Sequence, residues 1–78
     1  MKRAEFANEV LVDGFLIDVG RYNITVKDEY GAVLFKVSEL TRYRLSNFFQ
    51  QFKELDDDEQ EKLFYLAAHY ASTPIDER

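Results

Sequence analysis

The spacing of apolar residues changes once along this chain, close to Ser38, and that change sets the fold class. Over residues 10–37, β-branched and aromatic side chains recur at every second position between turn-forming residues, which is typical of strands with one buried face. After Val37 they recur once per helical turn. We therefore predict an α+β fold, in which an antiparallel β-meander is followed by an antiparallel helical hairpin packed on one face of the sheet.

Three breaks divide the predicted sheet, which spans about residues 9–37 and has three or four strands. Asp13-Gly14 comes first, and it predicts either a hairpin turn or a bulge in one long strand, because both residues tolerate positive φ. Gly20 marks the second break, and residues 28–31 mark the third. Further strands are expected over residues 22–27 and 32–37.

Alternation along the strands predicts two sheet faces. The core face is expected to carry Phe15, Ile17, Val19, Tyr22, Ile24, Val26, Val33, Phe35 and Val37. The other face is expected to carry Asp18, Asn23, Thr25, Lys27 and Lys36, together with three leucines, Leu11, Leu16 and Leu34. Three explanations stay open for these leucines. The segment containing Phe6 covers them, a second copy of the chain covers them, or a bulge changes the face assignment.

Two amphipathic helices are predicted over residues 39–54 and 57–72, with a tail over residues 73–78. Ser38 suits the N-cap of the first helix, and Asp56 followed by Glu59 resembles a capping box for the second. The inward side of the first helix is expected to carry Thr41, Leu45, Phe48, Phe49, Phe52 and Leu55. The inward side of the second is expected to carry Leu63, Leu66, Ala67, Tyr70 and Ala71.

Composition limits the kinds of site available. A chain of 78 residues has room for one domain, and we predict a single α+β domain over residues 1–78. The absence of Cys, with only one His, removes disulfides, thiolate chemistry and the common zinc sites. The longest nearly apolar stretch is interrupted by Asp13, Gly14 and Asp18, and it falls short of the roughly 20 residues of a spanning helix. We expect a soluble, cytoplasmic protein without a membrane partner.

The acidic charge is concentrated near the carboxyl end. Residues 56–78 carry seven acidic and two basic side chains, within a net charge of -5 for the chain. We interpret the run over residues 56–61 chiefly as stabilisation of a helix N-terminus, because an EF-hand loop needs a Gly that this run lacks. An alternative hypothesis is an acidic inhibitor that imitates nucleic-acid phosphates.

A second candidate motif is Thr41-Arg42-Tyr43-Arg44, where two guanidinium groups flank an aromatic ring. Such a group can hold phosphate and stack a base. On a helix, however, Arg42 and Arg44 lie about 200° apart, and a pI of about 4.7 disfavours a polyanion. Nucleic-acid binding through Arg42, Tyr43, Arg44 and Lys53 is therefore the alternative prediction.

No residue pattern points to catalysis. His69 is expected on the outer side of the second helix near Tyr65, without a nucleophile motif beside it. We predict a non-enzymatic module without metal or cofactor, which binds a protein partner or forms a homodimer, as an accessory or regulatory subunit. The candidate surfaces are the outward leucines Leu11, Leu16 and Leu34, and the helical pair Tyr65 and His69.

Overall fold

A computed structural model describes residues 1–47 and 49–78 of the chain. Its elements in chain order are α1 (Arg3–Val12), β1 (Leu16–Val19), β2 (Asn23–Lys27), β3 (Val33–Ser38), β4 (Leu45–Ser46), α2 (Gln50–Lys53), α3 (Asp57–Ser72) and a 3-10 turn (Ile75–Glu77). The strands form one antiparallel sheet in the order β1-β2-β3-β4, with the three helices packed on it. The predicted α+β class and the antiparallel sheet are confirmed.

The amino-terminal segment is a helix, where the first strand was expected to begin at residue 9. Phe6 and Val10 lie one helical turn apart on α1, and both are fully buried. Beyond Val12 the Phe15 N–H donates to the Val10 carbonyl and the Gly14 N–H donates to the Leu11 carbonyl. This pair of bonds is a Schellman motif, and Gly14 supplies its positive φ of 89°. Asp13-Gly14 therefore ends a helix and is neither a hairpin turn nor a bulge.

A bulge in β3 changes the predicted faces. Val26 pairs with Phe35, but Lys27 pairs with Val33, so Leu34 is the extra residue. Leu34 and Phe35 are consecutive in the chain and both are buried. The prediction that Leu34 faces outward is wrong, and of the three open explanations the bulge applies to it.

Two residues assigned to the core face, Val19 and Tyr22, are exposed. Val19 is the last residue of the edge strand β1, and Tyr22 lies in the turn between β1 and β2. In that turn the Gly20 N–H donates to the Asn23 carbonyl, and a Cβ at Gly20 would lie 2.9 Å from the same oxygen. Only glycine fits this turn without a shift of the backbone.

The predicted helix over residues 39–54 is wrong except for its last turn. The Ser38 hydroxyl does accept from the Leu40 and Thr41 N–H groups, but the chain then reverses. Tyr43 has a φ of 70°, and its N–H donates to the Ala71 carbonyl. The chain returns to the sheet as β4, where Leu45 pairs with Val37. Phe48, assigned to the inward side of this helix, lies outside the described residues.

The predicted second helix is confirmed as α3. The Asp56 carboxylate accepts from the Glu59 N–H at 2.8 Å, as expected of an N-cap. Four of the five residues predicted to face inward are buried and Leu66 is half-buried; the buried ones are Leu63, Ala67, Tyr70 and Ala71. Within residues 1–47 and 49–78, no helix has both the length and the apolar character that a bilayer requires.

The helices meet the sheet through aromatic rings. The Phe6 ring of α1 stacks on Tyr70 of α3 with centroids 4.5 Å apart, and it meets Phe35 of β3 edge to face. Phe52 of α2 also meets Phe35 edge to face. These rings join the helices to the centre of the sheet, in the stacked and edge-to-face arrangements that aromatic pairs prefer.

Candidate functional site

A cluster of charged and polar groups lies around the buried carboxylate of Glu39, where the loop after β3 begins. Its carboxylate accepts from the Tyr70 hydroxyl at 2.7 Å, from Arg3 Nε at 2.8 Å and from Arg78 Nη1 at 3.1 Å. The acceptor and its three donors come from four different parts of the chain. The Glu39 cluster, defined by these four residues, thus joins both ends of the chain to the loop.

Arg78 is the more enclosed of the two arginines in the Glu39 cluster. Its side chain is only 1% exposed, and its guanidinium lies 4.6 Å from the centroid of the Tyr70 ring. It also donates to the carbonyls of Ser38, Ala71 and Thr73. The guanidinium is thus hydrogen-bonded on several sides, which is the condition under which a buried cation is tolerated.

Glu39 is ionised and Tyr70 is neutral near pH 7. Burial acts to raise the pKa of Glu39, but hydrogen bonds from Tyr70 and Arg3 outweigh it and hold that pKa below its usual value. Burial, together with the hydrogen bond to Glu39, raises the pKa of Tyr70 to about 12. Neither group exchanges a proton near pH 7, so the cluster is suited to holding the fold and not to acid–base chemistry.

A groove with exposed aromatic side chains lies where α2 meets α3. It is lined by Phe52, Asp57, Gln60, Glu61, Phe64 and Tyr65 and has a volume of about 360 Å³. We call it the aromatic groove. Phe64 is 44% exposed and Tyr65 is 65% exposed, and their rings meet edge to face with centroids 6.3 Å apart.

The helix geometry of α3 places the groove residues on one side. Asp57, Glu61 and Tyr65 follow one another at intervals of four residues, so their side chains lie in a row. Gln60 donates to the carbonyls of Lys53 and Leu55, which fixes the end of α2 against α3. The charges lining the aromatic groove are both negative.

A second groove has the opposite charge. It lies at the ends of β2, β3 and β4, has a volume of about 420 Å³, and is lined in part by Tyr22, Asn23, Lys36, Ser38, Arg44 and Ser46. We call it the cationic groove. Among the described residues, its lining includes Lys36 and Arg44 but no carboxylate.

The three leucines predicted to form one outward patch are separated. Leu11 is exposed on α1, Leu16 is exposed on β1, and Leu34 is fully buried in the core. A patch containing all three therefore does not exist. Leu11 and Leu16 lie on either side of the turn at Gly14, where Val12 is exposed too.

Tyr65 and His69, the other predicted partner-binding pair, line different depressions. Tyr65 lines the aromatic groove, whereas His69 lines a depression with Met1 and Thr73 at the other end of α3. The acidic run over residues 56–61 contributes Asp57 and Glu61 to the aromatic groove. Among the residues that the structure describes, no three His, Asp or Glu side chains are placed to hold a metal ion.

The residues predicted to bind nucleic acid also lie at separate places in the structure. Arg42 donates to the Ser72 carbonyl with its guanidinium 4.5 Å from the Tyr43 ring centroid. Arg44 lines the cationic groove, and Lys53 ends α2. Because these arginines lie in a loop, the 200° separation expected on a helix does not apply.

The residues that lie beside Tyr65 and Arg44 in the two grooves were not predicted from the sequence. Phe52 was expected on the inward side of the first helix and is buried in the core, and it also lines the aromatic groove beside Phe64. Lys36 and Tyr22 join Arg44 only through strand pairing and the reversal at Tyr43, for which no local signal exists. No family model matches the chain, and neither a curated protein nor a solved structure matches it.

Proposed function

We propose that this protein binds a partner protein through the aromatic groove, and that the partner supplies a short apolar segment flanked by Lys or Arg. The observation that carries the proposal is the exposure of Phe64 and Tyr65 next to Phe52. Aromatic side chains at this exposure offer large contact areas, and Phe and Tyr are enriched at the centres of protein interfaces. A volume of about 360 Å³ accepts one or two large apolar side chains.

The charge of the aromatic groove selects the flanking residues of the partner. Asp57 and Glu61 are the charged residues that line it, and residues 56–78 as a whole are strongly acidic. A segment carrying Lys or Arg beside its apolar anchor is attracted to this surface, whereas an acidic segment is repelled. Charge therefore sets specificity and association rate, and the rings supply most of the affinity.

A second copy of the chain is a poor occupant of the aromatic groove. In a two-fold symmetric contact the same patch faces itself. Asp57 and Glu61 of one copy would then approach the same carboxylates of the other, and like charges brought together at an interface are unfavourable. The groove is therefore suited to a foreign partner.

Selection from a displayed library of random peptides tests the proposal. We expect the protein to enrich peptides that combine Leu, Phe or Trp with Lys or Arg, and we expect Phe64→Ser and Tyr65→Ser each to weaken binding of the selected peptides by about tenfold or more. Tyr30→Ser is the matched control, because Tyr30 is 86% exposed in the turn between β2 and β3. Enrichment of acidic peptides, or an equal loss in the Tyr30 variant, would overturn the proposal.

The role of charge in partner binding is tested with a pair of matched variants. Asp57 and Asp58 are both exposed in the first turn of α3, but only Asp57 lines the aromatic groove. We expect Asp57→Asn to reduce both the affinity for a selected basic peptide and its salt dependence, and Asp58→Asn to change them much less. Equal effects in the two variants would show that general acidity, not this groove, attracts the peptide.

Self-association through β1 is a second candidate function. Among the described residues β1 pairs only with β2, so its outer edge is unpaired, and Leu16 and Val19 on it are exposed. Such an edge can pair with the same strand of another copy. Light scattering over a range of concentrations tests this: a dimer abolished by Val19→Lys supports it, and a monomer at all concentrations rejects it.

A further inference from the structure

We propose that the cationic groove binds a small phosphate monoester that carries a planar ring. The phosphate would lie between Lys36 and Arg44, and the ring would lie against Tyr22. This site is separate from the aromatic groove, and the inference does not depend on the proposed function.

The cations of the cationic groove are unmatched within the described part of the chain. Four of the ten Lys and Arg residues form an ion pair with a carboxylate. Of the six that form none among the described residues, Lys36 and Arg44 are the two that line this groove. The chain has fifteen acidic and ten basic residues, yet no carboxylate lines this groove. Two unpaired cations in one concave site favour an anion.

Neutral donors stand beside the two cations. Ser38 Oγ accepts from two backbone N–H groups, and no described residue accepts its hydroxyl proton. Strand pairing places Asn23 opposite Ser38 and Ser46 opposite Lys36. A phosphate monoester has three oxygens outside the ester link that accept hydrogen bonds, so charged and neutral donors can be used together.

The backbone holds Arg44 at the groove. The Ser38 N–H donates to the Arg44 carbonyl at 2.9 Å, and the reversal at Tyr43 is anchored by its bond to Ala71. Tyr43 itself has a φ of 70°, in the left-handed region that non-glycine residues rarely adopt. Both ends of the loop are therefore fixed, and Arg44 is presented from a defined backbone position.

Tyr22 supplies a surface for a ring. Its side chain is 57% exposed, and Arg21 lies 5.7 Å from the centroid of its ring. The Arg21 guanidinium lies over the ring of Tyr22, and exposed aromatic rings together with Arg are surfaces on which planar groups stack. The volume of about 420 Å³ lies in the range of small-ligand sites.

A small ligand fits this protein better than a nucleic-acid chain does. Residues 56–78 carry seven acidic side chains, and a long polyanion would meet their field as well as the groove. A single phosphate responds mainly to charges within about 8 Å, the screening length at physiological salt. The local pair of cations can therefore bind a monoester on a protein that is acidic overall.

The test is an NMR titration of the ¹⁵N-labelled protein at constant ionic strength. The probes are AMP and phenyl phosphate, with inorganic phosphate, adenosine and phenol as their separate parts. We expect AMP or phenyl phosphate to bind at least tenfold more tightly than any of the parts, with the largest shifts at Asn23, Lys36, Ser38, Arg44 and Ser46. The two monoesters distinguish a ring joined through a sugar from a ring joined directly to the phosphate.

Matched variants locate the ligand. Lys36→Gln and Arg44→Gln should each weaken binding of the preferred monoester at least fivefold. Lys27→Gln removes a positive charge from a neighbouring strand of the sheet and should weaken it less than twofold, because Lys27 is paired with Asp18. Tyr22→Ser should weaken the monoester but not inorganic phosphate, and Tyr30→Ser should affect neither.

Three results would overturn the inference. The first is equal loss of binding in the Lys27, Lys36 and Arg44 variants, which would indicate attraction by general charge. The second is that the monoesters bind no more tightly than inorganic phosphate does. The third is affinity for single-stranded oligonucleotides that rises steadily with their length, which would assign the groove to nucleic acid.

Discussion

The Glu39 cluster and the cationic groove both contain arginine, and they meet at Ser38. The Ser38 carbonyl accepts from Arg78 of the cluster, while its side chain lines the groove. In the cluster each guanidinium has a carboxylate partner, and Arg78 is nearly inaccessible to water. In the groove Lys36 and Arg44 have none among the described residues. In the cluster the paired charges join distant segments of the chain, and in the groove the two unpaired cations are the groups that we propose for the ligand.

The sharpest test of that contrast removes Glu39. Glu39→Ala leaves the buried Arg78 guanidinium without its carboxylate, and breaking a buried pair in this way costs about 3–5 kcal/mol. Urea unfolding followed by circular dichroism should show a loss of this size. Glu29→Ala, in the exposed turn between β2 and β3, should change the free energy of unfolding by less than about 0.5 kcal/mol.

Acid should reduce the contribution of Glu39. Its pKa in the folded protein is below the usual 4.5, so the stability it confers is present above pH 4.5 and is lost as pH falls through the lowered value. The difference in unfolding free energy between the wild type and Glu39→Ala should therefore shrink below pH 4.5. A difference that stayed constant would contradict the ionised state proposed for Glu39.

Substitution of Tyr70 should lower the free energy of unfolding by less than substitution of Glu39 does. Its effect should depend on pH in the opposite direction. Tyr70→Phe removes one hydrogen bond to a charged acceptor, which contributes about 1.5–3 kcal/mol. Because the pKa of Tyr70 is raised from 10 to about 12, this contribution is complete below pH 10 and is lost as pH rises through about 12. Stability curves of the two proteins should converge over that range. A gap that persisted at pH 12 would argue against the hydrogen bond.

Loss of the N-cap of α3 should lower the free energy of unfolding by about 1 kcal/mol. Asp56→Ala removes the acceptor for the Glu59 N–H. Thermal unfolding measures the loss, and Asp58→Ala is the control in the same turn. If both variants lost the same stability, the charge of the turn and not the cap would be responsible.

Substitutions in the cationic groove are expected to have the smallest effects on the free energy of unfolding. Lys36→Gln and Arg44→Gln should each change the free energy of unfolding by less than about 0.5 kcal/mol, since neither cation forms an ion pair. Arg3→Gln, which removes a cation paired with Glu39, should cost more. A large loss in the groove variants would erase the contrast between the two regions, because it would give these cations a role in folding.

Sequence patterns predicted some elements of the fold and not others. The boundaries of α3 follow from its cap at Asp56 and from apolar residues repeating once per turn, and both signals are local. By contrast, α1 was missed, because Phe6 and Val10 make a single helical repeat and residues 9–12 also suit a strand. The candidate site was found only in part. Tyr65 and Arg44 were predicted, while their neighbours Phe64 and Lys36 were not.

The sequence by itself determined the antiparallel sheet, the long helix α3 and the absence of thiol chemistry, because periodicity, caps and composition are local properties. Tertiary structure decided the rest. The segment after Ser38 has a helical pattern, yet it becomes a loop and strand because Glu39 bonds to Arg3 and Arg78, and Tyr43 to Ala71. Those bonds join residues about 30 or more positions apart. Their energy is set by which distant groups meet in the folded chain, and no local pattern records it.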